Sequence, residues 1–263
     1  MNIGALVALY GDKPAKFMQL IVNCQAEIAS VAGSAFHPYE IRQVHSTIVG
    51  IEQAKASTIL NAYFYEYRDK QVQMDFSGLL NFLRNGGGFP FQIQIGGFQQ
   101  RDYPFASRGI RPYERSFAFQ EGKAVVIGWP IRGLPITNLT PTTINLIHES
   151  RIYPNTLDKI RQAAQTFGFL HRYYQRPEDM DNDFYFRIGL FDSASFPEHL
   201  QLAAEYKIRQ FLSDLEPAII EVTLSDIYLA FSNNETLPLD STKALSVSDP
   251  KVTADLIEHI LLQ

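Results

Sequence analysis

Two reactive side chains, His45 and Thr47, lie one residue apart in the segment Val-His-Ser-Thr at residues 44–47. On a β-strand, residues i and i+2 point to the same face, so both side chains would project together. An imidazole moves a proton near neutral pH, and a hydroxyl donates a hydrogen bond to a phosphoryl oxygen. The pair therefore favours phosphate chemistry, with His45 and Thr47 as candidate catalytic residues. The alternative is a structural histidine, since the same pattern recurs by chance at His148-Glu149-Ser150.

A second candidate feature is the segment 101–115, which holds four arginines and no lysine in a chain that is acidic overall. Arginine beside tyrosine is the combination expected for binding phosphates and stacking a ring. The candidate substrate-binding residues here are Arg108, Arg111, Arg115 and Tyr113. The alternative is a surface loop whose arginines pair with nearby carboxylates.

The elements that must position these residues follow from hydrophobic periodicity and turn signals. Strands are predicted at residues 3–10, 42–51, 90–98, 114–129, 184–191 and 218–231. Helices are predicted over residues 17–31, 52–68 and 76–84, from Asn155 or Thr156 to Phe167, from Ser195 to Leu215, and from Asp249 through Ile260. A mixture of this kind predicts an α+β protein.

The two halves of the chain follow a similar plan. In the first half, a helix beginning near residue 13 precedes His45, and in the second half a helix beginning near residue 156 precedes Arg187 at a similar separation. No linker-like stretch divides the halves, so we expect one domain over residues 1–263 that contains two related lobes.

The strand at 5–10, the helix at 17–31 and the segment Val44–Gly50 resemble the first half of the 2H phosphoesterase superfamily. That family includes the bacterial 2′-5′ RNA ligase-like proteins and the cyclic phosphodiesterases. The resemblance implies two pseudo-symmetric lobes, each an antiparallel sheet with helices on its outer face, around a central cleft. It also implies a metal-independent phosphodiesterase without a cofactor, in which two histidines on facing strands act as base and acid on cyclic phosphates or 2′-5′ linkages.

The second histidine motif of the family is altered in this chain. In the strand at 184–191, Arg187 stands where the histidine is expected and Gly189 where the hydroxyl is expected. Arginine stays protonated and cannot shuttle a proton at neutral pH, but it can bind a phosphate through two hydrogen bonds. Arg187 is therefore a candidate substrate-binding residue. Other placements of the second group remain open, at Glu221-Val222-Thr223 or at His171.

Three functions follow from these features. The first is a hydrolase acting on an RNA end or a small nucleotide, with Arg187 stabilising charge at phosphorus. The second is a non-catalytic nucleotide-binding or anion-binding protein. The third is an interaction protein with an incidental cleft.

Composition limits the partners that we expect. The net charge is -5 and the pI about 5.7, which argues against an extended nucleic-acid surface and leaves a small nucleotide or an RNA terminus as the expected partner. Cys24 is the one cysteine, as is typical of a reducing compartment. The sequence has no signal-like start and no apolar run that could span a membrane, so a cytoplasmic location is expected, as is the absence of a metal site.

Overall fold

The structure is a computed structural model that describes residues 3–55, 57–132 and 152–263. Within these ranges, ten strands pair in one open antiparallel sheet. The strands are β1 (Ile3–Ala8), β2 (Phe36–Pro38), β3 (Ser46–Ile51), β4 (Phe91–Ile95), β5 (Phe117–Gln120), β6 (Lys123–Ile131), β7 (Phe184–Phe191), β8 (Ala218–Val222), β9 (Ile227–Ser232) and β10 (Lys243–Ser246).

Seven α-helices accompany the sheet in the described part of the chain. They are α1 (Ala15–Ala32), α2 (Ala62–Arg68), α3 (Phe76–Gly86), α4 (Pro112–Arg115), α5 (Thr156–Thr166), α6 (Glu198–Asp214) and α7 (Ala254–Leu262). The predicted α+β class is confirmed. No helix among the described residues has both the length and the apolar character needed to cross a bilayer.

The sheet has a narrow point at its centre. Its order is β10-β9-β1-β3-β7-β6-β4-β8, with β2 added to β7 and β5 added to β6. Strands β3 and β7 are joined only through the opposed pair Ser46 and Phe186, whereas β6 and β7 pair along most of their length. The sheet thus consists of a set of four strands ending at β3 and a set of six that begins at β7, and the two sets meet at one pair of residues. The pseudo-symmetry of two lobes stays a prediction.

Helix α1 shows how the apolar pattern forms the core. Phe17, Ile21, Cys24 and Ile28 recur at steps of three and four, and all are fully buried. The ring of Phe17 meets that of Phe186 on the central strand edge-on at 4.7 Å. Burying each such side chain contributes about 1.5–3 kcal/mol. The helix therefore covers the face of β7 opposite to the one that carries Arg187.

Several predicted boundaries differ from the structure because short turns interrupt the pattern. The predicted strand at 42–51 begins at Ser46, after a 3₁₀ turn at Ile41–Gln43, so His45 lies just before β3. The predicted helix at 52–68 begins at Ala62, because the side chain of Asn61 accepts the backbone N–H groups that open α2. The predicted strand at 114–129 is the hairpin of β5 and β6, with a turn at Glu121 and Gly122, both at positive φ.

One predicted strand and one predicted helix cap also differ from the structure. A 3₁₀ turn held by Thr223 and Asp226 divides the predicted strand at 218–231 into β8 and β9. Neither Asn155 nor Thr156 caps α5 with its side chain; Asn182 accepts the backbone N–H groups of Leu157 and Asp158 instead. These caps come from residues distant in sequence or from turn chemistry, which periodicity alone does not show.

The last two predicted helices begin later than expected. Ser195 donates to the carboxylate of Asp192, and α6 begins at Glu198 after Pro197. Helix α7 begins at Ala254 rather than at Asp249, because the side chain of Thr253 accepts the N–H of Leu256.

Candidate functional site

The narrow point between β3 and β7 brings the predicted site residues together. Ser46 and Phe186 are opposed and point into the core, so their neighbours point to the other face of the sheet. In the same antiparallel register, position 45 lies toward position 187 and position 47 toward position 185. His45, Thr47, Tyr185 and Arg187 all line the cleft above this point.

Two adjoining pockets form this cleft, with empty volumes of about 610 and 700 Å³ including open solvent. They share four lining residues: Thr47, His171, Tyr173 and Arg187. The first pocket adds the aromatic rings of Tyr174 and Tyr185 and the cations Lys123, Arg108 and Arg161. The second adds His45, Glu52, Tyr63 and Arg172. The cleft thus combines two histidines, several cations and several tyrosine rings.

The register of β3 and β7 relates different residues from those that the resemblance implies. An antiparallel pair has a local two-fold axis through its opposed residues, here Ser46 and Phe186. This axis relates Arg187 to Thr47, and it relates Tyr185 to His45. Gly189 is therefore not the counterpart of the hydroxyl; a Cβ there would lie 2.4 Å from the ring of Phe36, so packing requires the glycine. In this register, Tyr185 is the residue of β7 that is related to His45.

The imidazole of His45 is held in one tautomer. Its Nδ1 lies 2.7 Å from the carbonyl oxygen of Gln43, and because a carbonyl only accepts, Nδ1 carries the hydrogen and Nε2 is the unprotonated nitrogen. The ring is 1% exposed and meets Tyr10 edge-on. Burial lowers the pKa of His45 to about 4, and the positive charges of Arg187 and Lys13 act in the same direction. At neutral pH, His45 is therefore a neutral imidazole with a free lone pair.

His171 is a second histidine in the cleft, held in the opposite tautomer. The backbone N–H of Gly50 donates to its Nδ1 at 3.2 Å, so Nε2 carries the hydrogen. Burial, followed by the charges of Arg161 and Arg187, lowers the pKa of His171 to about 3. The sequence offered this residue only as one of two alternatives for the second group. The structure lines both pockets with it and presents it as a neutral hydrogen-bond donor.

The two neutral histidines predict acid destabilisation. An unfolded histidine takes up a proton as the pH falls through 6.5, whereas the folded groups stay neutral to about 4 and 3. Below pH 6.5 and above the folded pKa values, the unfolded state binds more protons than the folded state. The free energy of unfolding therefore falls as the pH falls through this range. We expect urea unfolding at pH 4.5 to show that His171 alone lowers the unfolding free energy by about 2–3 kcal/mol relative to pH 7, because each pH unit below 6.5 costs about 1.4 kcal/mol.

The variant His171→Asn isolates that contribution, since an amide oxygen can accept from Gly50 without titrating. We expect the variant to lose less stability on acidification than the wild type. His199→Asn, on an exposed helix position, should keep the wild-type pH dependence. Equal acid sensitivity of wild type and His171→Asn would show that His171 is not held neutral.

Positive charge without a carboxylate partner makes the cleft attractive to anions. In the described part of the chain, neither Arg172 nor Arg187 forms an ion pair; Arg187 donates only a long hydrogen bond, 3.5 Å, to the carbonyl of Glu235. The guanidinium of Arg172 lies 5.0 Å from the centre of the Tyr173 ring. Lys123 differs from these arginines, because its Nζ lies 3.8 Å from the carboxylate of Glu235. Arg172 and Arg187 are therefore the groups that leave charge available for a bound anion.

Most of the predicted arginine and tyrosine loop does not reach the cleft. Arg108 does, while its Nε binds Asp181 at 2.8 Å. Arg115 binds the buried Asp183 at 3.3 Å and packs on a ring of β7. Arg111 pairs with Glu114 at the surface, and Tyr113 is buried at 3% exposure. The alternative, arginines paired with carboxylates, therefore describes Arg108, Arg111 and Arg115, of which Arg108 also lines the cleft.

Arg161 on α5 is a buried residue that sequence reasoning missed. It is 2% exposed, and its guanidinium donates to the carbonyls of Ile48, Thr47 and Asp183 and to both the carbonyl and the carboxylate of Asp181. The Arg161 side chain thus connects the backbone at Thr47 to the segment that precedes β7. Arg161 positions the floor of the cleft, and all of its N–H donors are already occupied by protein acceptors.

The remaining sequence candidates lie elsewhere. Glu221 is exposed on β8 and lines a separate pocket, and Thr223 caps a turn. His148-Glu149-Ser150 falls outside the described residues. Among the described residues, no group of three or more His, Cys, Asp or Glu side chains is placed to hold a metal ion. No protein-family model matches this chain, and no curated protein matches it significantly.

Proposed function

We propose that this cleft binds the phosphate of a nucleotide or an RNA end, and that the protein is a 2H-type, metal-independent phosphodiesterase. The observation that carries the proposal is the position of His45. Its Nδ1 is fixed by Gln43, its Nε2 is left as a proton acceptor, and it shares a pocket with Arg187. A neutral imidazole beside an unpaired guanidinium is suited to proton transfer at a bound phosphate.

The chemistry follows from these roles. Water attacks the phosphorus of a 2′,3′-cyclic phosphate, and its proton passes to Nε2 of His45. Arg187 binds the non-bridging oxygens, whose negative charge grows in the transition state, and Thr47 donates a hydrogen bond to the same group. The Nε2–H of His171 supplies another donor. Because a bound phosphate places negative charge beside His45, it raises the basicity that burial lowers in the empty cleft.

The first pocket suits the remainder of a nucleotide. Tyr173, Tyr174, Tyr185 and Val125 give it aromatic and apolar walls next to the shared residues that would hold the phosphate. Bases stack on such rings without strong sequence preference. The substrate class is therefore a single nucleotide or a chain end, in keeping with the acidic net charge.

The test of this proposal is turnover of a 2′,3′-cyclic nucleotide in the presence of EDTA. We expect conversion to a nucleoside monophosphate at a rate that EDTA does not change. Nucleotide binding without turnover would favour the second candidate function, a non-catalytic nucleotide-binding protein. The presence of Tyr185, rather than a second histidine, on β7 also favours that function. Absence of both binding and turnover contradicts either function.

Arg187 is expected to contribute most of the phosphate affinity. Hydrogen bonds to charged groups are worth about 1.5–3 kcal/mol, so Arg187→Ala should weaken binding of a nucleoside 2′-monophosphate about 10- to 100-fold. Isothermal titration calorimetry at low ionic strength measures this change. Arg187→Lys should recover part of it, because charge returns without the bidentate geometry.

The matched control is Arg176→Ala, which removes an exposed arginine paired with Asp179 outside the cleft. Its affinity for the nucleotide should equal that of the wild type. Unchanged affinity in Arg187→Ala would mean that the phosphate binds elsewhere.

A further inference from the structure

A β-bulge changes which residues of β3 face the cleft. Opposite β1, Leu6 pairs with Val49 and Val7 pairs with Thr47, so Ile48 is the extra residue. Beyond the bulge, the residues facing the cleft are Gly50 and Glu52 rather than Val49 and Ile51, which are buried in the core. Glu52 therefore lies on the same face as His45 and Thr47.

The carboxyl group of Glu52 folds back over Gly50. A Cβ on Gly50 would lie 2.1 Å from Oε2 of Glu52, so the carboxyl occupies the space that the glycine leaves open. Oε2 is shielded from solvent and has no hydrogen-bond partner in the described chain. An unsatisfied, buried carboxylate is costly, whereas a protonated carboxyl carries a donor for a ligand.

The charges around Glu52 are those of the phosphate site. Arg172 and Arg187 lower its pKa, but burial outweighs them and raises the pKa to about 7. Tyr63 and His171 line the same pocket and are neutral at that pH. His45, Glu52 and Arg187 line the same pocket, so a phosphate bound there by Arg187 would face both groups.

His171 cannot supply the second proton. Its Nδ1 accepts the N–H of Gly50, so the ring is held neutral, and loss of its Nε2 hydrogen would leave an imidazolate anion. Tyr185, at the β7 position related to His45, is a phenol, and a phenol is a weaker acid than a carboxyl group. Two carboxyl groups remain in the pocket that holds His45, those of Glu52 and Glu235. The Glu235 side chain is 54% exposed and pairs with Lys123 at 3.8 Å, whereas Oε2 of Glu52 is buried and has no partner among the described residues, which makes Glu52 the better candidate for a protonated acid.

We propose that Glu52 is the catalytic acid of this site and takes the role that a second histidine plays in a two-histidine mechanism. This inference rests on the proposed function. As water attacks phosphorus and gives its proton to Nε2 of His45, the bond from phosphorus to one ribose oxygen breaks. That oxygen takes the proton of the Glu52 carboxyl and leaves as a hydroxyl. Solvent then removes the proton from His45 and returns one to Glu52.

The dependence on the leaving group tests this role. A ribose alkoxide needs a proton to leave, whereas a p-nitrophenolate does not. Glu52→Gln should therefore lower kcat for a 2′,3′-cyclic nucleotide about 100- to 1,000-fold and change turnover of bis(p-nitrophenyl) phosphate by less than about 5-fold. His45→Gln should lower both. Glu66→Gln, on the exposed face of α2, should change neither.

A second variant keeps the carboxyl but moves it. Gly50→Ala places a methyl group where the carboxyl lies, and the backbone of Gly50 is compatible with alanine. It should show the same selective loss on the cyclic substrate. In the wild type, turnover of the cyclic nucleotide should fall as pH rises through about 7, because Glu52 loses its proton, and Glu52→Gln should lack that fall.

Equal losses on both substrates, or no loss on either, would overturn the role of Glu52 while leaving the site of His45 intact. Wild-type protein that turns over neither substrate, or turnover that survives His45→Gln, would overturn the proposed function and this inference together.

Discussion

Replacing His45 with glutamine is expected to lower kcat for a 2′,3′-cyclic nucleotide by about 100- to 10,000-fold, which is the usual contribution of a positioned general base. The amide fills most of the imidazole volume and can still donate to the carbonyl of Gln43, but it cannot accept the proton of the attacking water. Arg187 and Thr47 remain in place to bind the phosphate. Steady-state kinetics with the variant and the wild type at pH 6–7 measures the difference.

Two controls separate this effect from a folding defect. Affinity for a nucleoside 2′-monophosphate should stay within about 5-fold of the wild-type value, since the charge-assisted hydrogen bonds of Arg187 are unchanged. His37→Gln, on an exposed position of β2, should leave both kcat and affinity unaltered. A decrease in kcat of less than about 5-fold in a folded His45→Gln protein contradicts the role of His45 as the base.

Replacing Arg161 with methionine is expected to destabilise the fold by about 3–5 kcal/mol, the usual cost of removing one partner of a buried ion pair. The substitution keeps much of the side-chain length but leaves the carboxylate of Asp181 without one of its cations. It also leaves the carbonyls of Thr47 and Ile48 without their donor. Urea unfolding at pH 7 measures the loss.

The matched variant is Arg176→Met, which removes a surface ion pair and should cost less than about 1 kcal/mol. Since Arg161 fixes the backbone of Thr47, cyclic-nucleotide turnover should also fall in any Arg161→Met protein that remains folded. A change in unfolding free energy similar to that of Arg176→Met would show that the buried network is not needed for stability.

Sequence patterns predicted the parts of this site that depend on local alternation. In β7, buried Phe184 and Phe186 alternate with Tyr185 and Arg187, so the direction of Arg187 follows directly from the strand period. The proximity of His45 and Arg187 in one cleft was likewise an expectation from the sequence, and both residues line the same pocket.

Glu52 could not be predicted from the strand period. Strict alternation from His45 and Thr47 continues to Val49 and Ile51 and places Glu52 on the opposite face. The bulge at Ile48 reverses this alternation, and the nearest glycine, Gly50, lies two residues beyond the bulge and does not show where it occurs.

Partners distant in the chain determined the other differences. His171 follows the end of α5, where an exposed position is the default expectation; its burial depends on the N–H of Gly50 on another strand. The arginines of the loop looked available for phosphate because Asp181 and Asp183 lie far along the sequence. Charge patterning within one segment cannot show such pairs.

A crystal structure with a bound nucleoside 2′-monophosphate would test most directly whether His45 and Arg187 hold one phosphate between them. We expect phosphate oxygens within about 3.2 Å of the Arg187 guanidinium and of Nε2 of His45, which takes up a proton beside the bound dianion, with the nucleoside against the tyrosine walls of the first pocket. A phosphate bound away from both groups, or an imidazole whose Nε2 is sealed from the ligand by protein atoms, would contradict the proposed site.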